Sequence, residues 1–227
     1  MLADEAGRQA LLALGARSVP VVSRGTQWVD GQALQALADF VGVRWRHRML
    51  APRDLARRID TVLAAAARFS AQLPADKLVA MLPNGFRSYA SLATHVGQII
   101  EAFLDFTQWG VKLEEAAYVK PVPSEIRTPV DLAAFHEGVR RRFGAWWSAE
   151  GAGVQFDAPA DVYYGVQTVH EFMERSAWHA AQHTRQLQLL LQTLGVAPEV
   201  PLKPEDLAGL PLPESVWDDK MAFKLEG

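Results

Sequence analysis

Four long stretches with helical apolar periodicity, each bounded by helix-breaking residues, most constrain how this chain can fold. They run over residues 52–73, 88–109, 128–150 and 165–194. In each stretch apolar residues recur every three to four positions, which is typical of one face of an amphipathic helix. Helices of this length bury such faces against one another. The sequence therefore predicts a mainly α protein with a four-helix bundle, in which sites are built from side chains on facing helices.

The first 43 residues have a different pattern. A helix is predicted over residues 5–14, followed by short strands over 18–23 and 26–29 and a second helix over 32–41. Two short strands and two helices bury too little surface to stand alone. We therefore divide the chain into an α-β-β-α segment, 1–43, and a helical domain, 44–227, that ends in a proline-rich tail expected to cross the bundle surface.

Composition excludes several functions. The 227 residues contain no cysteine, so disulfides, thiol nucleophiles and thiolate metal sites are ruled out. The net charge of −3 argues against a nucleic-acid partner. No stretch approaches the length of a membrane span, and acidic residues stand where a secretory signal needs basic ones. A cytoplasmic protein without a membrane partner is expected.

The strongest chemical signal is a pair of histidines in the fourth helix. His179 and His183 are four residues apart, which places their side chains one turn apart on one helix face. His95 lies on the apolar stripe of the second helix. A buried imidazole needs partners for its ring nitrogens. One metal ion shared by three inward-facing imidazoles explains them more easily than a separate set of hydrogen-bond partners for each ring. The sequence thus predicts that His95, His179 and His183 ligate a divalent metal.

The other histidines fit this site less well. His170 is nine residues before His179 and is expected on the opposite, solvated face. His47 is expected at the surface, and His136 as a packed or interface residue. Ala180 follows the first histidine of the pair where a zinc peptidase would carry its glutamate base, so peptide hydrolysis is not expected.

These residues carry a family resemblance. A bundle with one histidine on its second helix and the stretch Trp178-His179-Ala-Ala-Gln-His183-Thr-Arg-Gln186-Leu187 on its fourth resembles the DinB/YfiT-like metalloenzymes. The resemblance covers about residues 45–195. It implies that the three histidines bind a divalent metal, zinc or nickel. It also implies that a low-molecular-weight thiol serves as co-substrate, because relatives include thiol S-transferases and a thiol-dependent isomerase.

The N-terminal segment resembles the C-terminal half of a glutaredoxin. Ser18-Val19-Pro20 is similar to the Thr-Val-Pro of that family, and Asp30-Gly31 stands where many members have Gly-Gly. The first strand and the Cys-x-x-Cys segment are absent from the sequence. Redox catalysis by this segment is therefore excluded, and a structural remnant and a start site further upstream both remain open.

Two functions from different classes follow. Three neutral histidines leave a coordination position open, which in an enzyme would activate a thiol for S-transfer or water for hydrolysis of a small molecule. The alternative is a non-catalytic metal-binding or interaction module with a structural histidine triad.

Near the site, Gln98 and Gln182 are expected to orient the metal ligands, and Trp178 is expected to form a wall of the pocket. No catalytic residue or cofactor-binding residue is identified. The apolar aromatic surface favours a homodimer.

Arginine clusters allow two interpretations. Arg140, Arg141 and Arg142 are consecutive, and six further arginines lie between Arg44 and Arg58. They could bind the carboxylates of an anionic thiol. The stronger interpretation is that they occupy solvated helix faces near Asp60 and other acids.

Overall fold

A computed structural model describes residues 5–16, 20–44, 47–82 and 87–217. The chain forms two compact units. One comprises Met1–Arg48 with Val162–Val166, and the other Met49–Asp161 with Gln167–Gly227. The described residues are mainly helical, as the sequence predicts. None of the described helices combines the length and the apolar character that crossing a membrane requires.

The N-terminal unit has the predicted α-β-β-α order. Its elements are α1 (Glu5–Ala13), β1 (Val21–Arg24), β2 (Gln27–Asp30) and α2 (Leu34–Val41). The two strands form an antiparallel hairpin in which Val21 pairs with Asp30 and Arg24 with Gln27. The predicted first strand included Ser18 and Val19, which lie outside the described residues, so the expected Ser-Val-Pro element is not described.

This unit buries few side chains. Helix α1 has no buried residue, and α2 has one, Ala38. Within the unit, the Tyr163 hydroxyl donates a hydrogen bond of 2.9 Å to Oε1 of Gln32. The unit is thus held by a few polar and aromatic contacts rather than by a deep apolar core.

The second unit contains four long helices, and its core lies between them. Helix α3 packs against α5 and α6, and α4 packs against the same two helices. Phe103 of the core meets Trp146 and Phe172 edge-on, with ring centroids 5.4 and 5.3 Å apart. The helices are α3 (Pro52–Ala71), α4 (Tyr89–Trp109), α5 (Pro129–Glu150) and α6 (Val169–Thr193).

Side-chain caps determine where these helices begin. Ser88 caps α4, because its hydroxyl accepts a hydrogen bond of 3.1 Å from the backbone N–H of Ser91. Thr128 and Asp131 form a reciprocal capping box at α5, with Pro129 in the first turn. These starts agree with the predicted ones to within one residue.

The prediction for the start of the fourth helix was wrong. Residues 165–168 are not helical: they form the strand β4 (Gly165–Thr168), which follows β3 (Pro159–Val162) in a two-stranded sheet. Gly165 has a φ of +120°, a conformation that glycine adopts without strain. The helix begins at Val169, after a capping box between Thr168 and Glu171. That Thr-x-x-Glu pattern was the sequence signal for the true boundary.

The described part of the tail lies along two helices of its own unit. Gln72 of α3 donates a hydrogen bond of 2.9 Å to the carbonyl of Ala197. Further along, Arg185 of α6 donates to the carbonyl of Pro213 at 2.8 Å. The expectation that the tail crosses the surface of the helices is met for these residues.

Candidate metal centre

The structure brings three histidines from two helices together. His95 comes from α4, and His179 and His183 come from successive turns of α6. Their ring centroids are 5.2 Å (His95–His179), 4.7 Å (His95–His183) and 4.9 Å (His179–His183) apart. One nitrogen of each ring lies within 4.8 Å of the others. Among the described residues, this is the one group of three or more His, Asp or Glu side chains that close.

Aromatic side chains enclose this cluster. Tyr118 belongs to a short 3-10 turn between α4 and α5 and is buried. Its ring meets His95 and His179 edge-on, at centroid distances of 5.9 and 5.3 Å. Trp178, predicted as a pocket wall, lies beside His179 at 5.9 Å. Tyr118 was missed in the sequence, because the irregular connection that carries it has no periodicity from which its direction could be read.

The nitrogens on the outer side of the α6 histidines have polar neighbours. Nδ1 of His183 lies 2.7 Å from Oε1 of Gln186. Because an amide oxygen only accepts, this nitrogen carries the proton and Nε2 is left as a lone-pair donor. Nδ1 of His179 lies 3.4 Å from the Arg175 guanidinium. Gln186, which the sequence analysis did not assign to the site, thus orients one of the imidazoles.

All three imidazoles are held in the neutral form. Burial lowers the pKa of His95 strongly, and its interactions with His183, Arg87 and Arg175 lower it further. Burial and the charge of Arg87 lower the pKa of His183 to about 4. The pKa of His179 is well below its ordinary value, chiefly through burial. Neutral imidazole is the form that binds metals.

The two glutamines predicted near the site have different surroundings. Gln98 is buried and lines a small cavity together with His95, and its amide donates weak hydrogen bonds of 3.5 and 3.4 Å to the carbonyls of Lys120 and Pro121. Gln182 donates to the carbonyl of Val216 at 2.7 Å. Gln98 therefore fixes the connection that carries Tyr118, and Gln182 fixes the tail.

The remaining histidines lie outside the cluster. His136 of α5 is fully buried, and neither ring nitrogen has a hydrogen-bond partner among the described residues. This agrees with its prediction as a packed residue. The prediction for His170 was wrong: it is partly buried, and its Nε2 lies 2.8 Å from the carbonyl of Leu50. His47, which was expected at the surface, is partly exposed.

The donor set fits a borderline metal ion. Imidazole suits zinc, copper, iron and nickel, and zinc–nitrogen bonds of about 2.0–2.1 Å place tetrahedral ligands about 3.3 Å apart. The donor atoms lie within 4.8 Å of one another, so binding of an ion would draw the three rings closer together. One contact must change. If His179 ligates through Nε2, its Nδ1 carries a proton that the Arg175 guanidinium cannot accept, so this contact at 3.4 Å has to be released.

A comparison with models of known protein families found no match, and no curated protein matches the sequence significantly.

Proposed function

We propose that this chain is a divalent-metal-binding protein of the DinB/YfiT-like kind, with His95, His179 and His183 as ligands. The observation that carries the proposal is the convergence of three neutral imidazoles from two packed helices. Zinc and nickel are the metals that we favour, since both accept imidazole nitrogen. The packing of α3, α4, α5 and α6 supports a four-helix bundle as the underlying fold, and the α-β-β-α order supports a partial glutaredoxin-like segment.

We further propose that the centre is catalytic and keeps one position open. Among the described residues, the cluster contains no fourth histidine and no carboxylate. When bound, the metal would supply deprotonation of a coordinated thiol or water. The chain holds the imidazoles neutral by burial, and Gln186 fixes the tautomer of His183. Tyr118 packs edge-on against His95 and His179, and Trp178 lies beside His179.

The competing function is a structural metal site without chemistry. A structural site fills all its coordination positions, whereas a catalytic site leaves one for water or substrate. A cavity of about 190 Å³ lies next to the cluster and is lined by His95. A cavity at this place favours the enzyme. We also propose that the protein is cytoplasmic and forms a homodimer. Sedimentation of the full chain tests the dimer.

Metal content is the first test. Elemental mass spectrometry of purified protein should give about one equivalent of metal per chain, and His183→Ala should lose most of it. His170→Ala is the matched control, because this histidine is on the same helix but bonds a backbone carbonyl outside the cluster. Absence of metal from the wild type after reconstitution with zinc and nickel would overturn the proposal.

An open coordination position is tested separately. In cobalt-substituted protein, 2-mercaptoethanol should produce a thiolate-to-cobalt absorption band and shift the visible spectrum. A spectrum that no thiol changes would show a closed site and would leave the structural function.

A further inference from the structure

A small cavity beside the histidine cluster has a positively charged lining. It has a volume of about 190 Å³, below the range of about 300–1,000 Å³ typical of sites for drug-sized ligands. His95, Tyr118, Arg87 and Lys120 are among the residues that line it. The cavity therefore suits a small molecule that contacts both His95 and the basic groups.

Arg87 is the most informative of these residues. Its NH1 nitrogen is buried and has no hydrogen-bond partner among the described residues. Burial lowers the pKa of its guanidinium, which shows that the surroundings disfavour the charge. A buried guanidinium is normally paired with a carboxylate or a phosphate. Arg87 thus lines the cavity and has a buried donor that no described group satisfies.

Among the described residues, the charged side chains that line the cavity are the basic Arg87 and Lys120. Lys120 also acts on the carboxylate of Glu101, so part of its charge is balanced outside the cavity. Ser91, in the first turn of α4, also lines the cavity, so the positive end of the helix dipole adds to this potential. A cation bound by neutral imidazoles would increase the excess of positive charge.

We propose that the cavity binds the carboxylate of a small organic acid, with Arg87 as its bidentate partner and Lys120 at the rim. The planar guanidinium matches a carboxylate in two parallel hydrogen bonds, whereas the flexible lysine supplies charge alone. The other end of the acid reaches the histidine cluster. If the protein is a thiol-using enzyme, this carboxylate site would select a thiol that carries a carboxylate, or a carboxylate-bearing molecule to which the thiol is added. That selection rests on the proposed function, whereas the carboxylate site itself does not.

The carboxylate site is tested first on metal-free protein. Malonate should raise the melting temperature of the wild type and of Arg141→Gln, an exposed arginine on α5 that serves as the control. It should have no such effect on Arg87→Gln. Arg87→Lys keeps the positive charge but loses the planar guanidinium, so malonate should raise its melting temperature by a smaller amount. Circular dichroism confirms that each variant is folded. Equal malonate effects in wild type and Arg87→Gln, or none in the wild type, would overturn the inference.

The second test uses cobalt-substituted protein and separates the inference from the proposed function. We expect 3-mercaptopropionate to half-saturate the spectral change at a concentration about ten-fold lower than 2-mercaptoethanol, and Arg87→Gln to remove this preference. Thiol binding without any carboxylate preference would contradict the inference and leave the proposed function standing. Failure of the protein to bind cobalt, with the malonate effect present, would contradict only the proposed function.

Discussion

Two regions of the helical unit contain both histidines and arginines. They differ in whether the histidines cluster and in whether the arginines pair with acids. Helices α4 and α6 gather three imidazoles beside Arg87 and Arg175. Helix α5 buries the single His136, and two of its three arginines pair with acids: Arg140 with Asp60 at 2.6 Å and Arg142 with Asp105 at 2.8 Å. The difference shows that clustering and the sign of the surrounding charge, rather than burial, distinguish a candidate site from a packed residue.

The arginine run of the sequence illustrates the same point. Arg140 and Arg142 were open to an anion-binding interpretation, but their guanidinium groups already contact carboxylates within the chain. Arg87, which no motif singled out, is the arginine that faces the cavity. Arg140 and Arg142 are balanced by carboxylates within the chain, whereas Arg87 lines the cavity with a buried nitrogen that no described group satisfies.

The largest expected effect is metal-dependent stability. Zinc at about 1,000 times its dissociation constant should stabilise the wild type by about 4 kcal/mol. His179→Ala should lose this gain, because two ligands bind an ion far more weakly than three. His136→Leu should keep it. Thermal unfolding with and without zinc measures the effect; equal zinc responses of the two variants would remove the distinction between the regions.

The next effect concerns Gln186. Replacing it by leucine removes the oxygen that accepts the Nδ1 proton of His183. Loss of such an orienting partner costs metal affinity about 10–100-fold. Gln182→Leu is a matched control, since Gln182 bonds the same tail carbonyl of Val216 but no imidazole. Competition titration with a chromophoric chelator gives the affinities. Equal losses in both variants would assign the effect to the tail rather than to His183.

An acid-stability difference of about 2 kcal/mol is expected from His136. Burial lowers its pKa to about 3, below the ordinary value of 6.5. Below pH 6.5 the unfolded chain binds a proton that the folded chain does not, so stability falls as the pH drops toward 3, by about 1.4 kcal/mol per unit. His136→Leu should remove this contribution between pH 7 and 5. Urea unfolding of the metal-free proteins at both pH values measures it, and an unchanged pH dependence would contradict the assignment.

The smallest effect is expected at the paired arginine. Arg140→Gln breaks an ion pair with Asp60 that solvent reaches, so it should cost about 1 kcal/mol of unfolding free energy or less. It should not alter metal content or the malonate response. Any change in either property would show that the region around α5 communicates with the histidine cluster.

The sequence predicted the helices well where periodicity and caps agreed. Ser88 and Thr128 are sharp starting signals, and the stripe of Leu55, Ile59 and Val62 is buried as expected. It failed at residues 165–168, because a short hairpin next to a helix carries little periodicity and the Thr168 capping box went unnoticed. The existence of each long helix could therefore be predicted from the sequence, whereas its exact start could be predicted only where a capping residue was recognised.

The candidate site was predictable only in part. The i, i+4 spacing of His179 and His183 places both on one face, and His95 lies on an apolar stripe, so their meeting followed from helix geometry. Tyr118 and Arg87 come from irregular connections, whose direction no local pattern determines. Gln98 and Gln182 were placed near the histidines by spacing alone, yet their amides bond the backbone of a connection and of the tail.

The hydrogen bonds between α6 and the tail link the tail to the proposed metal site. The carbonyl of Val216 accepts a hydrogen bond from Gln186, whose other amide atom contacts His183, and 30 residues separate Gln186 from Val216. Proteolytic removal of the tail would take away the partner that positions this amide. In the proposed site, the tail would therefore tune metal affinity from a distance in the sequence.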